Sequence, residues 1–207
     1  VPLARPLPQK QHVFYVWSPK LKRQLRLFSR LELEAWVLLE ADPSVKTFCE
    51  YPSRFTLNGR IYYVSFWVSS AGAATFWFVV PSDESLSLRT TLGNAADLVS
   101  WGARNGIGLK VVDETDTRKH PVGLDNWIQI IHHLAANGQY VTEPLLEGVL
   151  IAAKAGPVSV DAIVNHQQGV DREICLAAIF QLIQNAKLKC EDLMSYPLSN
   201  SLLVAAA

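Results

Sequence analysis

The chain has 207 residues, 49% hydrophobic and 18% charged, a composition that excludes a disordered protein, a collagen and a disulfide-stapled miniprotein. Its nineteen Lys/Arg and nineteen Asp/Glu cancel, yet residues 1–31 carry seven of the bases and no carboxylate, leaving twelve bases against nineteen acids elsewhere. The length suits one main domain with a satellite and excludes a large multidomain enzyme. Three cysteines, Cys49, Cys175 and Cys190, make neither a CxxC pair nor an even set, and no leader pattern opens the chain, so a reducing, cytoplasmic setting is expected.

Residues 1–28 contain Pro2, Pro6, Pro8 and Pro19 among basic and aromatic residues, which predicts a basic extended arm. Ser29 reads as a helix N-cap with Glu32 at the third helical position, a capping box, and Asp42-Pro43 stops that helix near Ala41. Strands are predicted at Arg54–Leu57, Arg60–Ser69 and Thr75–Pro81, with Asn58-Gly59 as the hairpin turn. The uncharged stretch from Ile61 to Ser82 is long enough to span a bilayer, but the small residues around Gly72 divide it into two buried antiparallel strands, so no membrane is expected. A helix over about Asn94–Arg104 ends at Asn105-Gly106, Leu109–Asp113 reads as a strand, and a helix over about Leu124–Ala136 stops at Asn137-Gly138. Gly106-Ile107-Gly108 follows a helix and precedes a strand, the reverse of a phosphate-cradling loop, and reads as a helix stop.

The pattern changes near Gly138–Thr142. Helices are predicted at Glu143–Ala155, Ser159–His166 and Asp171–Ala186, followed by a small two-stranded wing at Lys187–Cys190 and Leu202–Val204, with the terminal Ala205-Ala206-Ala207 left outside it. The reading is therefore an arm (1–28), an α/β domain with a mixed sheet carrying helices (29–138), and a winged helix-turn-helix domain (139–204).

Ser18-Pro19-Lys20, then Phe28-Ser29-Arg30-Leu31-Glu32, then Leu38-Leu39-Glu40-Ala41-Asp42-Pro43-Ser44-Val45 resemble the TnsA-type endonucleases of heteromeric transposases. Glu50-Tyr51-Pro52 is similar to that family's E-Q-P turn, and Leu109–Asp116 with Asn126 is similar to its late strand, acidic turn and helix; the resemblance covers about residues 15–136. It implies a restriction-endonuclease-like fold, in which a helix Glu, a strand Asp and an E-x-K set hold Mg²⁺ and hydrolyse a phosphodiester. Of that set only Glu32 is present. Ser65, in Tyr62-Tyr63-Val64-Ser65-Phe66, stands at the metal-binding Asp, and Phe78 and Val80 stand at the acid and the lysine. Neither hydrolysis nor a metal cofactor is expected of such a site, and Glu32 has a structural role as the capping residue.

The functional weight then falls on Lys10, Lys20, Lys22, Arg23, Arg26 and Arg30, which lie with Phe14, Tyr15 and Trp17 where no carboxylate occurs; these are the expected DNA-binding residues. The C-terminal domain, with four bases against seven acids over residues 140–207, suits a protein contact better than base reading through Gln181, Gln184 and Asn185. The adjacent His132 and His133 point about 100° apart on a helix and do not chelate one ion. The leading expectation is a catalytically inactive TnsA-like subunit that binds DNA and recruits a transposase, a regulator ATPase or a second copy of itself. The alternatives are an active Mg²⁺-dependent endonuclease at transposon ends with relocated residues, such as Asp83, Glu84 and Arg89, and an interaction protein with no DNA role.

Overall fold

A computed structural model of the chain describes residues 2–3, 12–57, 59–70 and 72–207. It contains two compact units: residues 1–39 with 44–119, and residues 40–43 with 120–207.

The first unit opens with β1 (Phe14–Ser18) and β2 (Arg23–Leu27), an antiparallel hairpin where the prolines suggested an extended arm. The described part of that arm forms strands because its apolar residues alternate: Leu25 and Leu27 are buried on one face, and Tyr15 and Trp17 are exposed on the other. Helix α1 (Arg30–Ala41) follows, with the Glu32 N–H donating to the Ser29 hydroxyl at 3.0 Å. The return half of the box differs from the expected one, because the Glu32 carboxylate accepts from the Phe28 N–H (2.8 Å), one residue before the cap.

The central sheet consists of β3 (Val45–Glu50), β6 (Phe66–Ser70), β7 (Ala73–Val79) and β8 (Ile107–Val112) in that spatial order, the first three antiparallel and β8 parallel to β7. The unit is thus mixed α/β, with a mixed sheet flanked by helices. The segment expected as one strand over Arg60–Ser69 is two: β5 (Arg60–Tyr63) pairs, among the described residues, only with β4 (Arg54–Leu57), and the chain breaks at Val64-Ser65 before β6 joins the main sheet. Of the predicted turn, Gly59 has φ +76° and Asn58 lies outside the described residues.

Between β7 and β8 lie α2 (Ser82–Asn94) and α3 (Ala96–Asn105). Helix α2 carries little sequence signal because its apolar side is thin, but Ser85, Leu88 and Leu92, spaced three and four apart, are buried on one face. Gly106 ends α3 in the left-handed conformation (φ 65°). A core of Val64, Phe76, Phe78, Leu88, Leu92, Leu98 and Val111 joins the sheet to these helices, with Phe55 of the β4–β5 hairpin packed against it. The unit closes on α4 (Glu114–Thr117).

The second unit contains α5 (Pro121–Asn137), α6 (Glu143–Ala153), β9 (Val158–Ser159), α7 (Val160–His166), α8 (Arg172–Gln184), β10 (Leu188–Lys189) and β11 (Leu203–Ala206). The main segment of the second unit begins at His120: α5 packs against α8 and Asn126 fixes the loop before β11, its amide donating to the Leu193 and Tyr196 carbonyls (2.7 Å each) and its carbonyl accepting the Leu198 N–H (2.7 Å). The wing has three strands in the order β10-β11-β9, and Ala205 and Ala206, expected to lie outside the fold, belong to β11. Burial pushes up the thiols of Cys49, Cys175 and Cys190, none of which forms a disulfide. Among the described residues no helix is long and apolar enough to cross a membrane.

Candidate functional site

The first turn of α1, the break before β6 and the end of β7 converge. Glu32, Ser65, Phe78 and Val80, far apart in sequence, line one cavity of about 220 Å³ in the first unit, walled on one side by Tyr62 and Tyr63 of β5. The sequence positions matched to a cutting site are therefore neighbours in space.

Glu32, Ser65 and Phe78 each take part in holding the fold. Glu32 is 4% exposed, and its carboxylate accepts both the Phe28 N–H and the Tyr51 hydroxyl (2.6 Å). Tyr51 is held for this role at φ 44°, a left-handed conformation costly for an aromatic residue, with its N–H on the Ser65 carbonyl (2.9 Å) and its ring against Phe28. Nothing in the turn motif Glu50-Tyr51-Pro52 announces this bond. Ser65 accepts the Val79 N–H through its hydroxyl (3.1 Å), replacing a strand bond where β6 gives out. Phe78, 2% exposed, belongs to the core. Mg²⁺ requires several oxygen donors in octahedral array. One carboxylate already bonded twice, one hydroxyl satisfying a strand and two apolar side chains do not fit it.

The residues considered for a relocated site have other roles. Asp83 and Glu84 form the acidic first turn of α2, favourable at the positive end of the helix. Glu84 reaches the cavity rim and pairs there with Arg60 at 3.6 Å. Arg89 pairs with Asp113 (3.4 Å) and Asp116 (3.7 Å). Asp113 caps α4, and the Thr115 hydroxyl at 2.6 Å, above all, holds its pKa down to about 2.

The six cations expected to bind DNA separate into groups. Lys10 lies outside the described residues. The Lys20 ammonium donates to the Leu39 carbonyl (2.8 Å) in the last turn of α1 and to the Val45 carbonyl (3.3 Å) at the start of β3. Arg23 bonds the buried Glu50 through both terminal nitrogens, which raises its own pKa. Arg30 touches Glu34 (3.1 Å) yet stays 82% exposed, and Arg118 also neutralises that carboxylate (2.9 Å). Lys22 and Arg26 remain on the open side of the hairpin, Lys22 exposed and Arg26 stacked over Phe28 at 5.2 Å.

In the second unit α8 offers little for base reading. Its residues from Cys175 to Phe180, with Leu182 and Gln184, are buried, and the Gln184 amide donates to both the carbonyl and the carboxylate of Glu40 at 3.1 Å. His132 is exposed, whereas His133 meets Glu173 at 3.1 Å and packs on Phe180, so the two histidines diverge. No family model and no curated protein matches the chain.

Proposed function

We propose that this protein binds DNA without cutting it, as a TnsA-like subunit of restriction-endonuclease-like architecture whose catalytic position has become part of the hydrophobic core. The observation that carries the reading is the meeting of Glu32, Ser65, Phe78 and Val80 at one cavity, a nuclease-like placement without its donors. The order helix, three antiparallel strands, helices and a strand parallel to the third agrees with it.

DNA contact falls to Lys22 and Arg26 on the open side of the hairpin and to Arg30, which stays 82% exposed despite its pair with Glu34. The second unit, of winged-helix type, has most of α8 buried and an acidic balance, which supports docking of a protein such as a transposase or its regulator rather than base reading. A cutting enzyme finds support in Glu84 lining the same cavity as Glu32, but Arg60 beside Glu84 opposes a cation there.

The test combines a supercoiled-plasmid nicking assay in Mg²⁺ or Mn²⁺ with gel shifts on duplex DNA across a salt series. The reading expects shifts that weaken steeply with salt, further weakening by Lys22→Glu/Arg26→Glu/Arg30→Glu, and no nicking. Nicking abolished by Glu32→Gln would establish the enzyme instead, and absence of any shift would remove the DNA role.

A further inference from the structure

The open face of the β1–β2 hairpin carries a pattern that phosphate binding alone does not use. Cross-strand pairing places Tyr15 opposite Arg26 and Trp17 opposite Gln24, and these four side chains share the face turned away from buried Leu25 and Leu27. Tyr15 is 62% exposed and Trp17 48% exposed, large rings that a folded protein ordinarily covers. Lys22 stands in the turn at the end of the same hairpin, and residues 12–31 include no carboxylate.

A groove of about 370 Å³ runs beside Tyr15, lined also by Arg23, Gln24 and Arg26. Glu50 is the only acid among its lining residues, and Arg23 neutralises it. Aromatic rings, a guanidinium and an amide on a cationic, acid-free strand pair form a stacking platform with a phosphate track.

We infer that this face binds single-stranded DNA, with Tyr15 and Trp17 each stacking on an unpaired base while Arg26 and Lys22 meet the phosphates. The inference deepens the DNA-binding reading and rests on it. Spacing selects the single strand: residues two apart on a strand lie about 6.8 Å from each other, whereas neighbouring bases of a duplex are about 3.4 Å apart. Two rings so separated match bases that have been pulled out of register with each other, and a duplex offers its base faces to neither ring.

Fluorescence anisotropy with a labelled 20-nucleotide oligo-dT and with a blunt duplex of the same length tests this on the full chain. The expected result is oligo-dT binding that falls about ten-fold in Tyr15→Ala and again in Trp17→Ala. Trp17→Phe, which keeps a π-face, should recover most of the loss, and duplex binding should change little. Near-ultraviolet circular dichroism checks that the variants remain folded. Duplex binding without oligo-dT binding, or oligo-dT binding indifferent to both alanine variants, overturns the stacking role and leaves the DNA-binding reading standing. Failure to bind either probe overturns both.

Discussion

Arg23 and Glu50 are joined by both prongs of the guanidinium, tying the β1–β2 hairpin to strand β3 through a carboxylate that is itself buried. A residue expected to face DNA therefore holds the fold together. Removing it in Arg23→Ala leaves a buried charge without its partner, a loss of roughly 3 kcal/mol, measurable by urea unfolding. Arg23→Lys should recover only part of this, since an ammonium cannot reproduce the fork. Unchanged stability in Arg23→Ala would show that the pair does not hold the hairpin.

Phe78 and Ser65 should behave as structural residues. Phe78→Ala, at a position 2% exposed, is expected to cost about 3–5 kcal/mol. Ser65→Ala deprives the Val79 N–H of its acceptor and should cost about 1–3 kcal/mol. Denaturant midpoints check both values. A phenylalanine removed without cost would mean that the cavity is not backed by the core.

In the second unit Asn126 makes three bonds to the segment before β11. Asn126→Ala should lower stability by about 2–3 kcal/mol and speed amide exchange at Leu198, whose N–H loses its acceptor. Exchange at Leu198 as slow as in the parent would contradict the assignment.

The pH dependence at the β8–α4 junction follows from Asp113, whose pKa drops from the ordinary 3.8 to about 2 in the folded protein. A carboxylate depressed on folding adds stability above its unfolded pKa, and that contribution disappears as pH falls from about 4 towards 2. Thr115→Val removes the largest cause and should raise the Asp113 pKa, read from its carboxyl carbon by NMR. A titration unmoved by Thr115→Val would assign the depression to Ser85, the Thr115 backbone N–H or Arg89 instead.

Local chemistry made several elements legible from sequence. Ser29 and Glu32 marked the start of α1, Asn105-Gly106 the end of α3, and Gly59 the β4–β5 turn, because each signal acts over a few residues. Non-local partners hid the rest. Strand β3 turns Glu50 inward only because Arg23 arrives from β2, and β1 and β2 form strands despite Pro19 because Leu25 and Leu27 find a core. The positions around the cavity were named from sequence, but Tyr51 as the donor to Glu32 was not, since nothing local to residue 51 announces a contact with α1. The arginines and lysines near the amino terminus were visible as charge, while their division between internal pairing and an open face required their neighbours in space.

The cavity around Glu32 is the centre of the account, and isothermal titration of the intact chain with Mn²⁺ addresses it most directly. The account predicts no saturable binding there and identical heats for the parent and Glu32→Gln. One-site uptake in the parent, abolished by Glu32→Gln in a variant that still folds, would contradict it.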